Sequence, residues 1–188
     1  YRLWTGAAEH HMAERRRPEI EDADLAPMLL DVVSFGERDA MALPWLTPPP
    51  LHSLVAAREL LISLGALDER GGITRLGKQM AGLPCHPRIS RMILRAASLG
   101  ETGLACDIAA LLEEKDPLAQ HENEADMSLR IDMLQRARES KHLGSWQRIA
   151  QVAEAYRRIA PARECGRKSS GVGAGHLVAY AYPERVAR

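Results

Sequence analysis

The chain has 188 residues, 46% of them apolar, and its 25 basic and 25 acidic side chains cancel to a formal charge of zero. That apolar share can bury one or two cores, and it excludes wholesale disorder, which needs low hydrophobicity together with high net charge. Charged residues interrupt every apolar run well short of a membrane span, Arg2, Glu9 and Glu14 break up any signal-peptide core, and 3 cysteines make no disulfide framework, so a cytoplasmic protein with no membrane partner is expected.

With 28 Ala and 24 Leu against one Phe, the composition favours helix. Basic charge comes as 21 Arg and 4 Lys, which suits bidentate phosphate contacts and is equally what genomic base composition can produce. In chain order, Tyr1 to Thr5 alternates as a short strand would, and Ala7 to Ala13 reads as a brief helix stopped by Arg15-Arg16-Arg17-Pro18. Asp24 is placed as the N-cap of a helix carrying Leu25, Met28, Leu29, Val32 and Val33, with Gly36 as its stop. Pro48-Pro49-Pro50 introduces a second helix, whose expected buried stripe is Leu51, Leu54, Val55, Leu61 and Ile62 and whose end is Gly65. Ala66-Leu67-Asp68 and Ile73-Thr74 flank Glu69-Arg70-Gly71-Gly72 as the arms of a small β-hairpin, and Thr74 caps a third helix reaching about Gly82. Helix, helix, hairpin and helix are the content of a winged-helix module.

Beyond Leu83-Pro84 the pattern is helical throughout. Stripes run through Ile89, Met92 and Ile93; through Leu104, Ile108, Leu111 and Leu112; through Met127, Ile131 and Leu134; and through Trp146, Ile149, Val152, Tyr156 and Ile159. A Gly/Ser-rich loop follows over 166–175, then a last helix from His176 to Tyr182. The fold class expected is mainly α: a winged-helix module with a small β-hairpin, then a helical bundle.

Chemistry-bearing motifs are sparse. Gly166-Arg167-Lys168-Ser169-Ser170 resembles a phosphate loop only superficially, because Arg167 separates the glycine from the lysine and no strand precedes it; a basic surface loop is expected. Cys85-His86, Cys106 and Cys165 lack zinc-site spacing, Cys106 reads as a core residue, and His10-His11 as a surface pair. Glu113-Glu114-Lys115-Asp116 reads as a solvated helix end. No catalytic, cofactor-binding or metal-binding residue is therefore assigned. Charge is more informative: residues 1–82 carry 9 basic and 12 acidic side chains, residues 83–188 carry 16 and 13, and 130–168 alone carry 10 and 4. Arg88, Arg91 and Arg95 fall on one helical stripe, which either draws a phosphate backbone or is an ordinary solvated face.

The order of these motifs resembles the DEAH/RHA group of ATP-dependent helicases, HrpB type. Tyr1-Arg2-Leu3-Trp4 is similar to the strand after the last helicase motif of the second RecA-like domain, and Pro18-Glu19-Ile20 with Asp24-Leu25 to the entry of the family's winged helix. Trp45-Leu46-Thr47-Pro48-Pro49-Pro50 resembles its Leu-Asp-Pro-Pro-Pro signature, with Thr47 standing where the family has Asp. Leu64-Gly65-Ala66-Leu67-Asp68 with Ile73-Thr74-Arg75-Leu76-Gly77 resembles its hairpin and following helix, and Leu83-Pro84 with His86-Pro87-Arg88 the start of its helical ratchet (HA2) domain. Ala179 to Arg188 resembles a segment of the HrpB type, whereas Glu21-Asp22-Ala23 departs from the Arg-Thr pair usual before the winged helix.

The resemblance implies a slice of a longer helicase: 1–20 the edge of a RecA-like domain, 21–82 the winged helix, and 83–188 a truncated ratchet domain. It implies single-stranded nucleic acid, RNA for preference, and the parent's own RecA-like domains as partners. ATP and Mg are implied for the parent protein, an ATP hydrolase, with no cofactor in this region, which lacks the ATPase motifs. Arg88, Arg91, Arg95, Lys141, Arg148 and Arg157 are the residues expected to meet the strand. A stand-alone winged-helix DNA-binding protein and a protein-interaction module are the alternatives.

Overall fold

A computed structural model describes Thr5 and residues 17–118, 126–161 and 171–186; the strand and helix expected before Pro18, His10-His11, Cys165 and the Gly166–Ser170 motif lie outside them. After a 3-10 turn at Glu19–Glu21 come α1 (Ala26–Ser34), a second 3-10 turn (Ala40–Ala42), α2 (Leu51–Ser63) and α3 (Arg75–Ala81). Then follow α4 (Pro87–Leu99), α5 (Thr102–Glu113), α6 (Met127–Glu139), α7 (Gln147–Ile159) and α8 (Ala174–Ala181). A 3-10 turn at Gly144–Trp146 leads into α7, and one at Pro183–Arg185 follows α8.

Local chemistry sets the ends of these helices. Gly36, Gly65 and Gly100 adopt φ of +101°, +71° and +78° just past α1, α2 and α4, a conformation glycine takes without steric cost. The Thr74 hydroxyl accepts from Gly77 N at 2.9 Å at the start of α3 and donates to Gly65 O at 2.7 Å, joining the cap of one helix to the end of another. Asp126 caps α6 by accepting from Ser128 N at 2.8 Å. Asp24, expected as the N-cap of α1, stands one residue outside it: Leu25 is the cap residue, and Asp24 accepts from Ala26 N at 2.9 Å. Pro50 likewise occupies the N-cap of α2, so the three prolines form the extended lead-in and the helix starts at Leu51.

The hairpin is reduced to a turn with one antiparallel bridge, Leu67 to Ile73, flanked by Asp68 N to Gly72 O and Thr74 N to Ala66 O, each at 2.9 Å. The reason is length: Gly65 ends α2 immediately before one arm and Thr74 begins α3 immediately after the other. Among the described residues no strand forms. The stripe expected on α2 is also shifted. Leu54, Ala57 and Leu61 are its buried residues, while Leu51 and Val55 are 69% and 47% exposed.

Two hydrophobic clusters result. The first gathers Leu29, Leu30 and Val33 of α1, Leu54 and Leu61 of α2, and Met80 of α3. The second is built around α5, whose Ala105, Ile108, Ala109 and Ala110 are fully buried as α4, α6, α7 and α8 pack around it. Its small side chains let those neighbours approach closely, and Cys106 lies in this core as expected. Ile149, Ala153 and Tyr156 form the buried face of α7, whereas Ile159, expected on it, is 43% exposed. Leu94 on α4 packs against both clusters.

Candidate nucleic-acid interface

The arginine stripe lies on α4, the helix between the two clusters. Pro87 at its first position and the His86 side chain, whose Nδ1 accepts from Arg88 N at 3.2 Å, start the helix. His86 Nε2 also meets Asp24 Oδ2 at 3.1 Å, tying this end of α4 to the entry of α1. Burial alone would raise the Asp24 carboxyl, but the Ala26 N–H, His86 and Arg88 outweigh it and hold the group below the usual aspartate range.

The three stripe arginines meet different surroundings. Arg88 Nη1 donates to Ala181 O at 2.9 Å, pairs with Glu184 Oε1 at 2.7 Å, and its guanidinium lies 4.8 Å from the Tyr182 ring centroid. Arg91 is half-buried and donates through Nη1 to Leu64 O, the end of α2; burial, and then the like charge of Arg95, lower its proton affinity. Arg95 is exposed and lines a groove of about 340 Å³ between α3 and α4, with Leu76, Gln79, Ser98 and Pro161 around it. One helical stripe thus supplies a clasp to the chain after α8, a clasp to the winged helix, and one outward cation.

The other three expected contacts are scattered. Lys141 is exposed just past α6, at φ +56°. Arg148 is 71% exposed and meets Glu114 with Nε to Oε1 at 3.0 Å, a surface pair of small energetic weight. Arg157 donates to Asp107 Oδ1 at 2.6 Å, while Arg138 grips the same carboxylate at 2.9 and 2.7 Å. Asp107 is 4% exposed, and its hydrogen bonds hold the Arg138 guanidinium above its ordinary proton affinity. Periodicity gives no sign of this triad, because Asp107 sits in the middle of an apolar helix and its two arginines lie 31 and 50 residues away.

The carboxylates at the end of α5, expected to be a solvated helix end, are engaged. Glu113 accepts from the Tyr156 hydroxyl, Glu114 pairs with Arg148, and Asp116 accepts from Arg130 Nε at 3.0 Å. Arg130 holds the Asp116 carboxyl below its ordinary range. These residues join α5 to α6 and α7, so their chemistry is structural. Among the described residues, no group of three or more His, Cys, Asp or Glu side chains could hold a metal ion, and no helix is long and apolar enough to cross a membrane.

Comparison with known proteins gives this geometry a context. The winged-helix model of the helicase-associated domain (HA2) matches residues 57–85. The probable ATP-dependent RNA helicases DHX35 of Homo sapiens and of Pongo abelii are each 29% identical over 144 residues, covering 76% of this chain and 20% of theirs. Crystal structures of the E. coli DExH-box NTPase HrpB, also described as a DEAH/RHA helicase, superpose with TM-scores of 0.67 and 0.66 at 26% identity. They cover 96% of this chain and 20% or 21% of theirs, so the chain spans about a fifth of the length of the relatives it matches.

Proposed function

From the membership of this chain in the DEAH/RHA helicase family, HrpB-like, we propose that it is the winged-helix and ratchet region through which an ATP-dependent RNA helicase couples movement of its RecA-like domains to a single strand. In this reading residues 1–20 are the edge of a RecA-like domain, 21–82 the winged helix and 83–188 the ratchet domain, working in the cytoplasm. The supporting observation is the double attachment of α4. Through Arg91, Leu94 and the His86–Asp24 contact this helix holds both hydrophobic clusters, so displacement of the winged helix is passed to the bundle.

ATP and Mg belong, in this proposal, to RecA-like domains outside this region. The strand's phosphates meet Arg95, Lys141 and Arg148, the outward cations of the expected set. Arg88, Arg91 and Arg157 are spent on internal partners and shape the surface.

Titrating labelled single-stranded RNA and duplex DNA with the chain over a salt series tests this. Three phosphate contacts to a single strand give a slope of about −2 in log affinity against log salt, and Arg95→Glu should weaken binding and flatten that slope by about 0.7. Preference for duplex DNA would favour the stand-alone winged-helix regulator, and no binding at low salt the protein-interaction module.

A further inference from the structure

The α4–α8 seam carries aromatic rings beside its arginines. On α8, His176 and Tyr180 stand one turn apart with ring centroids 5.3 Å apart and planes inclined at 70°, and His176 Nε2 shares a 3.2 Å hydrogen bond with the Tyr180 hydroxyl. His176 is exposed and Tyr180 half-buried. Two contacts set how α8 lies on α4. Arg88 Nη1 reaches Ala181 O at 2.9 Å near one end, and Gly171 N donates to Glu101 Oε1 at 3.0 Å near the other. The helices are therefore antiparallel. The charge on Arg91 feels both Arg95 on its own helix and Tyr180 on α8.

The seam thus carries cations on α4 and rings on α8. Arg91 and Arg95, like His176 and Tyr180, are four residues apart, about 6 Å at 1.5 Å per residue. Tyr182 closes the seam at one end: the Arg88 and Arg185 guanidiniums lie 4.8 and 5.8 Å from its centroid, so that ring is already engaged. At the other end, Arg95 opens into the groove lined by Leu76, Gln79 and Pro161. Aromatic rings at helical spacing near an outward cation suit a nucleobase strand, whose flat apolar faces stack while a phosphate takes the guanidinium. A duplex, with base faces already stacked on one another, offers the rings nothing.

We propose that His176 and Tyr180 form a base-stacking platform for a single strand, with the exposed Arg95 of α4 drawing the phosphates alongside. The proposal rests on the single-strand reading above and adds to it two contacts that charge alone does not reveal. The platform is sequence-tolerant, because every base has a π face.

The test compares an oligouridine with an abasic ribose-phosphate strand of equal length and charge, both titrated against the full chain. Base-bearing strand should bind more tightly, by roughly 5- to 150-fold for each base stacked. His176→Ala, at an exposed position, should remove much of that difference while leaving affinity for the abasic strand unchanged. Tyr180→Ala should do the same, and Tyr180→Phe, which keeps the ring, should retain the preference. Equal affinity of the unsubstituted chain for the two strands would overturn the platform while leaving phosphate-based binding intact. Equal loss of both strands in His176→Ala would also overturn it, as would preference unaltered by both alanine substitutions. Failure to bind either strand at low salt would overturn the single-strand reading and the platform with it.

Discussion

Asp107 receives both an Arg138 fork and an Arg157 donor, and this one carboxylate joins α5 to α6 and α7. Replacing it by Asn would leave two guanidiniums facing each other with no charge between them. Because each arginine still reaches water, Asp107→Asn should cost about 2–4 kcal/mol in denaturant unfolding, toward the lower side of a fully buried pair. Arg157→Ala should cost less, since Arg138 retains its two-pronged contact. The thiols give a pH-dependent prediction of opposite character. Burial, acting first, pushes Cys85 and Cys106 up to about 11 from an ordinary thiol value of 9.0. The unfolded chain therefore loses its thiol protons before the folded one does. Stability from this source is whole below pH 9.0 and is lost as pH rises toward about 11. In a Cys165→Ser background, both thiols should react with a disulfide reagent about 100-fold more slowly than an ordinary thiol at neutral pH, and unfolding should restore the rate. Fast labelling of the folded chain would contradict the burial.

At the scale of elements, two glycines make opposite predictions for the same substitution. A Cβ on Gly77 would lie 2.1 Å from Ala66 O, so α3 sits against the wing only because that side chain is absent. Gly77→Ala should destabilise by about 1–3 kcal/mol despite the better helix propensity of alanine. Gly103, in the first turn of α5, has open space within 4 Å of where a Cβ would stand, so Gly103→Ala should stabilise by up to about 1 kcal/mol. Thermal melts of both variants check the signs. Several helix ends were legible because their signals are local: Gly36, Gly65 and Thr74 act within one turn of where they stand, whereas Asp24 stands one residue outside the helix it was expected to cap. The buried face of α2 was not legible, since apolar residues lie all round it and Ala57 looks neutral beside Leu51 and Val55; the neighbour α1 decides which side is covered. The candidate interface was legible as spacing and illegible as role. Arg88, Arg91 and Arg95 do share a stripe, but Leu64, Ala181 and Glu184, which claim two of them, come from other elements.

For the molecule as a whole, the central question is whether two hydrophobic clusters behave as one body. Arg91 clasps the end of α2, His86 meets Asp24, and Leu94 is packed against both clusters, so α4 belongs to each of them. A transmitter of movement needs that continuity, because a loose hinge would absorb displacement before it reached the bundle. Continuity predicts cooperative unfolding: neither cluster should melt while α4 remains folded in the other. Two tryptophans report separately. Trp45 donates through Nε1 to Ala40 O at 2.7 Å beside the first cluster, and Trp146 is buried in the second. With Trp4 replaced by Phe, variants retaining only Trp45 or only Trp146 should show coincident denaturant transitions. Adding Arg91→Ala and Leu94→Ala to each should separate the two midpoints, since the shared contacts are then removed while each cluster keeps its remaining core. Separate midpoints before those two substitutions would mean that the clusters are independent, and coupling through α4 would fall with them.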